Sequence, residues 1–234
     1  MTEIRTETVP LLDGSRLRLT VAEPDGSVRG GIVVLHEARG VTESVRNLVS
    51  GIAGDGWLAV APHLYHRDGA DEIDAAQSDE HVQEQVDKLD REEVMADTDT
   101  AFGWLAEHDV PADCMGVVGF DLGGSVALLV AATRTLGAAV TVGGGGVATP
   151  TSDGLPELLD AAASLTCPWL GIYGGPPEGG EYPEIEQLRE ATDSARVATD
   201  LVTFPLTGHR FDADPDAAAE AWQRMLNWFG SHLR

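Results

Sequence analysis

Lysine is almost missing from this chain. Lys88 is the only one in 234 residues, and 15 basic side chains in all stand against 39 carboxylates, a formal net charge of −24. A field of that sign repels phosphate backbones and anionic headgroups, so neither nucleic acid nor a membrane surface is an expected partner. It also points to a protein kept soluble at high ionic strength, where screening relieves the self-repulsion. Cysteine is scarce too. Cys114 and Cys167 each open an apolar strand-like run and read as small buried side chains in a reducing compartment, not as a disulfide. No apolar run approaches the ~20 residues needed to span a bilayer. The opening Met1-Thr2-Glu3-Ile4-Arg5 has no leader-like apolar core, so the cytoplasm is the expected location. No histidines or carboxylates have metal-ligand spacing, and the Gly143-Gly144-Gly145-Gly146 run lacks the helix and downstream acid of a dinucleotide site. No metal or cofactor is expected.

What remains is an ordinary globular composition, 43% hydrophobic and 23% charged, enough for a single domain over residues 1–234. Strand-like and helix-like segments alternate almost end to end. Residues 3–12 and 15–22 suggest a hairpin about Asp13-Gly14. Strands are then expected at 30–36, 57–61, 115–119, 138–142, 168–173 and 200–204, short apolar runs of the kind buried on both sheet faces. Between them helices are expected at 42–55, 79–108 (with an interruption), 123–135, 155–163 and 183–195, with a last one at 215–232. The pattern predicts an α/β fold with a mostly parallel, eight-stranded, doubly wound sheet flanked by helices. Its ligands should bind at the carboxyl ends of the strands.

Three strand ends carry candidate chemistry. Val118-Gly119-Phe120-Asp121-Leu122-Gly123-Gly124 places glycines two before and two after Asp121, between a strand and a helix. That is the spacing of a nucleophile elbow, a turn so tight that a Cβ at either glycine would strike neighbouring backbone. A strand-to-helix turn with a capping aspartate is the plainer alternative. Leu35-His36-Glu37-Ala38-Arg39-Gly40 ends the third strand. Thr207-Gly208-His209-Arg210 follows the last strand and offers His209 as general base, late in the chain as α/β-hydrolases have it. His36, His63 and His66 also lie near strand ends and read as loop or core histidines, while His81, His108 and His232 read as helix-surface residues.

With these motifs the chain resembles the dienelactone hydrolase family, from Gly30 to Trp228, in length, strand order and motif spacing. The resemblance implies an α/β-hydrolase fold and activity on a small ester or lactone. It implies that Glu37 contacts the nucleophile and that the amides of Ala38 and Leu122 form the oxyanion hole. Two departures stand out. The family nucleophile is cysteine, where this chain has Asp121. The family acid follows the seventh strand in a G-x-x-D context, where Gly174-Gly175-Pro176-Pro177 puts Pro177 at the acid position. Glu178, Glu181 and Asp153 are the possible replacements. The family also holds its substrate carboxylate with two arginines, for which Arg39 and Arg210 are candidates by position. An elbow carboxylate ionises with an unperturbed pKa of ~3.9 and needs no base, but beside Glu37 one of the two would be expected to rise.

Three readings stay open: a hydrolase of a small ester or lactone, an enzyme displacing at carbon through an alkyl-Asp121 ester as haloalkane dehalogenases and epoxide hydrolases do, and a non-catalytic binding protein. The expected partner is a small-molecule substrate, and the expected state a monomer or homodimer.

Overall fold

The computed structural model describes residues 2–11, 13–69 and 71–233. Leu12, the expected end of the first strand, lies outside them. Eight strands form one sheet: β1 (Ile4–Pro10), β2 (Arg16–Ala22), β3 (Gly31–Leu35), β4 (Leu58–Pro62), β5 (Met115–Phe120), β6 (Ala138–Val142), β7 (Trp169–Gly174) and β8 (Thr199–Phe204). Their order is β1-β2-β4-β3-β5-β6-β7-β8, and only β2 runs against the rest. The hairpin forms as expected, with Asp13 Oδ1 accepting the Ser15 amide at 2.8 Å and Gly14 at φ +86°.

Among the described residues six α-helices lie between strands and a seventh follows β8. They are α1 (Glu43–Gly54), α2 (Asp79–Val86), α3 (Arg91–Glu107), α4 (Leu122–Thr133), α5 (Leu158–Ala162), α6 (Pro183–Asp193) and α7 (Pro215–His232). The helical region expected at 79–108 is broken between Val86 and Arg91 because Asp90 leaves the helix to cap α3, accepting the Glu92 and Glu93 amides. The helix expected at 155–163 is a five-residue piece, since 155–157 turn before Leu158.

The central strands are apolar on both faces because both faces are covered. Val33, Leu35, Val117 and Trp169 pack with Val126, Phe102 and Leu188 on the side of α2 to α6. Ile32, Val34, Val118 and Ile172 pack with Val45, Ile52, Met225 and Phe229 on the side of α1 and α7. Burial of this kind stabilises by roughly 25 cal/mol per Å² of apolar surface. Cys167 is one of the buried side chains, its thiol pushed by burial up to about 12, whereas Cys114 is half-exposed, contrary to expectation; both are free thiols. Cys114 sits in the turn that enters β5, before the strand dips between helices. No helix among the described residues is long and apolar enough to cross a membrane.

Candidate active site

The turn from β5 into α4 is made by one residue. Asp121 sits at φ 51°, ψ −116°, a conformation that costs a side-chain-bearing residue ~1–3 kcal/mol and persists only where its surroundings enforce it. They do. The Asp121 amide donates to the Val142 carbonyl at 2.9 Å, the Ser125 amide donates to the Asp121 carbonyl at 3.1 Å, and the Ser125 hydroxyl donates to the Gly145 carbonyl at 2.7 Å. A Cβ on Gly119 would fall on the Gly123 carbonyl, and one on Gly123 would fall on the Leu35 carbonyl. The glycine spacing is therefore a requirement for bringing the elbow against the end of β3.

The Asp121 side chain stands where solvent still reaches it but protein crowds it. Burial raises its pKa from the ordinary aspartate value, against the opposing pull of the Leu122 amide, Arg210 and His209. The expected cause was Glu37. Glu37 lines the same cavity, but its carboxylate accepts a long hydrogen bond from the Thr42 hydroxyl at 3.5 Å and none joins it to Asp121 among the described residues. The rise at Asp121 comes from desolvation.

The peptide after β3 is held by a buried imidazole. His36 Nδ1 lies 2.8 Å from the Glu37 carbonyl, and the Leu64 amide donates to His36 Nε2 at 3.2 Å. An amide can only donate, so Nε2 carries the lone pair and Nδ1 the proton. Burial presses the His36 pKa down to about 4, which keeps this neutral form at physiological pH. The Gly40 amide also donates to the Glu37 carbonyl, at 3.0 Å. Because C=O and N–H of a trans peptide point in opposite directions, fixing the Glu37 carbonyl toward His36 aims the Ala38 N–H away from it. The Ala38 carbonyl in turn accepts from the Tyr65 hydroxyl at 2.7 Å. The other expected oxyanion donor, Leu122, is the first residue of α4, where amides have no intrahelical acceptor. His36 is a core histidine as expected, but one with a defined task, which only the structure reveals.

His209 follows β8. Its imidazole stacks on Tyr182, centroids 4.4 Å apart and planes 9° from parallel, and no carboxylate hydrogen-bonds to it among the described residues. The three expected acids do not reach it. Glu181 is taken by Arg189 at 2.5 Å and by the Thr203 hydroxyl, while Glu178 and Asp153 are exposed on loops away from the cavity. Glu184, which the sequence did not single out, shares a smaller hollow of about 230 Å³ with His209 and Tyr182. Its position in the first turn of α6, beside the stacked tyrosine, was the available signal.

Of the two arginines, only Arg210 stays a candidate. It lines the cavity but is forked onto Asp212 at 2.9 and 2.8 Å, and that carboxylate raises its pKa further. Arg39 turns away. It donates to the Asp74 and Gln77 carbonyls at 3.0 and 3.3 Å and to Asp79 at 3.2 Å, fastening the loop before α2. His63 and His66 are structural as expected: His63 bridges Thr20 (2.9 Å) and Asp71 (2.6 Å), and His66 shares the buried Asp97 with Arg67.

Asp121, His209, Glu37 and Arg210 thus face one cavity of about 760 Å³ at the carboxyl ends of β3, β5 and β8. Ala38 and Leu122 flank it. Such a constellation can hold a carbonyl compound, move a proton and stabilise an oxyanion.

The chain is similar to known proteins over most of its length. The dienelactone hydrolase family matches residues 17–233. A candidate carboxymethylenebutenolidase of Yersinia pestis is 34% identical over 236 residues, 97% of this chain and 88% of the relative. A candidate 2-oxo-3-(5-oxofuran-2-ylidene)propanoate lactonase of Bradyrhizobium is 27% identical over 212 residues, 86% of this chain and 84% of the relative. The crystal structure of a candidate dienelactone hydrolase from Klebsiella pneumoniae superposes with a TM-score of 0.84 at 30% identity, covering 98% of this chain and 99% of the other. The doubly wound sheet is an α/β-hydrolase fold, and with the match running through elbow and β8 loop alike, this chain belongs to the dienelactone hydrolase family.

Proposed function

We propose that this chain hydrolyses an ester or lactone with water activated by His209, and that Asp121 serves His209 as its carboxylate partner in place of the absent loop acid. One observation carries the reading: Asp121 and His209 line the same cavity, close enough for the charge of one to act on the other, while no carboxylate hydrogen-bonds that imidazole among the described residues. A carboxylate attacking an ester carbonyl would give a mixed anhydride, an unfavourable intermediate. Water attack avoids it.

In this route His209 takes a proton from a water as its oxygen bonds to the substrate carbonyl carbon. Asp121 stabilises the imidazolium electrostatically without accepting the proton, as the aspartate of a serine triad does. The carbonyl electron pair moves onto its oxygen, toward the amide of Ala38, the Leu122 amide being engaged by the Asp121 carboxylate. The tetrahedral intermediate then collapses, the C–O bond to the leaving alcohol breaks, and His209 returns its proton to that alcohol oxygen. Removing one such amide typically costs 10²–10³ in rate.

Single-turnover hydrolysis of a p-nitrophenyl ester in ¹⁸O-water tests the reading: label should enter the product acid and not the Asp121 peptide. Displacement at carbon is the second reading, favoured by the Leu122 amide already acting on the Asp121 carboxylate, which would leave the other oxygen free to attack. Label in Asp121 after a single turnover of a haloalkane or an epoxide in ¹⁸O-water would establish it. Absence of turnover over a broad ester and lactone panel, even in Asp121→Cys, would leave a binding protein.

A further inference from the structure

The cavity is much more than a slot for the reacting group. From the elbow it runs between α1 and α7, and its volume of about 760 Å³ falls in the range of sites that enclose drug-sized ligands. The two helices offer it matched stripes. Ser44, Leu48 and Gly51 recur at helical spacing on α1, and Ala218, Ala221, Trp222 and Met225 do so on α7. The smallest side chains stand where the space is. At Gly51 a Cβ would meet the Trp222 ring at 3.2 Å, so the indole lies across that glycine and closes this part of the arm.

Charge is the second observation. The chain carries 39 carboxylates, yet none of the residues lining the cavity from α1 or α7 is ionisable. Arg210, the only arginine or lysine lining the cavity among the described residues, is already forked onto Asp212. A second carboxylate on the substrate would meet no unpaired cation from the cavity wall, and the net charge of −24 would oppose its approach. Desolvating it in the arm without a partner would be costly.

We infer that the arm between α1 and α7 is the binding site for an uncharged apolar substituent, an alkyl chain or single aryl ring, and that the substrates of this site are neutral esters or lactones carrying one. This rests on the hydrolytic reading above, but part of its test does not.

The experiment measures kcat/KM along p-nitrophenyl acetate, butyrate, hexanoate and octanoate, and on 4-carboxymethylenebut-2-en-4-olide, with ligand-detected NMR of 1-octanol binding alongside. Each methylene entering the arm should raise kcat/KM by about fourfold, the equivalent of ~0.8 kcal/mol, and the neutral esters should outrun the anionic lactone. Ala221→Phe should abolish the rise and the octanol signal; Ala218→Leu, at a less buried position, does the same if the first variant fails to fold. A flat or falling series with acetate still hydrolysed, or preference for the anionic lactone, overturns the inference and leaves the hydrolytic reading standing. No ester turned over but octanol bound, with binding lost in Ala221→Phe, removes the hydrolytic reading and keeps the arm. Neither turnover nor octanol binding removes both.

Discussion

His36 offers a perturbation in which two conservative replacements should behave oppositely. Its Nδ1–H faces the Glu37 carbonyl at 2.8 Å, and its Nε2 accepts the Leu64 amide at 3.2 Å. Asparagine places an amide group near Nδ1 and can keep the first bond while losing the second. Glutamine reaches toward Nε2 and can keep the second while losing the first. If His36 matters by aiming the Glu37–Ala38 peptide, His36→Gln releases the proposed Ala38 oxyanion donor and should lower kcat by roughly 10²-fold, near the lower end for losing such a donor. His36→Asn should keep kcat within about tenfold, although it leaves the buried Leu64 amide unpaired at ~1–3 kcal/mol of stability. The assay is kcat and KM for a p-nitrophenyl ester at neutral pH, with thermal unfolding of each variant and the Ala38 amide resonance followed by NMR. A side chain that merely fills the core gives the same kcat loss in both variants, in proportion to stability. Finding that, or an Ala38 amide unmoved in His36→Gln, would refute the positioning argument.

Other perturbations read different parts of the account. Asp121 is a carboxylate whose folded pKa lies above its unfolded one, so its ionised form is disfavoured in the fold and the penalty is present at neutral pH and gone below the unfolded pKa. Asp121→Asn should therefore melt higher than wild type at pH 7, by a margin that shrinks on acidification and vanishes below ~3.9; a margin that grows on acidification contradicts the desolvation argument. Gly119→Ala drives a Cβ onto the Gly123 carbonyl, which neither strand nor helix can yield cheaply, and should cost on the order of 3 kcal/mol or more, seen as lost soluble protein or a much lower Tm. Asp97 is fully buried and pairs with Arg67 at 2.7 and 2.9 Å, so Asp97→Ala should destabilise by about 3–5 kcal/mol in denaturant unfolding, with little effect on the chemistry. With 39 carboxylates against 15 basic groups, Tm should climb from low to molar potassium chloride; a Tm indifferent to salt would mean that self-repulsion does not limit stability.

Much of this molecule could be read before any coordinates because its signals are local. The apolar runs of β3 to β8 announce strands covered on both faces, and the Gly119 and Gly123 spacing announces a turn that only glycine permits. Residues whose task depends on remote partners were not legible in that way. Arg39 sits next to Ala38 on the loop after β3, yet its guanidinium is held by carbonyls and a carboxylate 35 to 40 residues onward. Glu181 stands near the expected acid position but is captured by Arg189 and Thr203. The tautomer of His36 depends on the Leu64 amide, which arrives from the end of another strand. Asp90 ends one helical stretch and starts another because its side chain competes for backbone amides, a contest that periodicity does not register.

The central claim is that Asp121 and His209 work as one unit. A double-mutant cycle on kcat/KM for a p-nitrophenyl ester, with Asp121→Ala, His209→Ala and both together, tests it most directly. The account predicts that each single change costs about 10²–10⁴-fold and that the double variant is scarcely worse than either, because a pair acting together is lost once. Losses that multiply across the two sites, or full activity in Asp121→Ala, would contradict it.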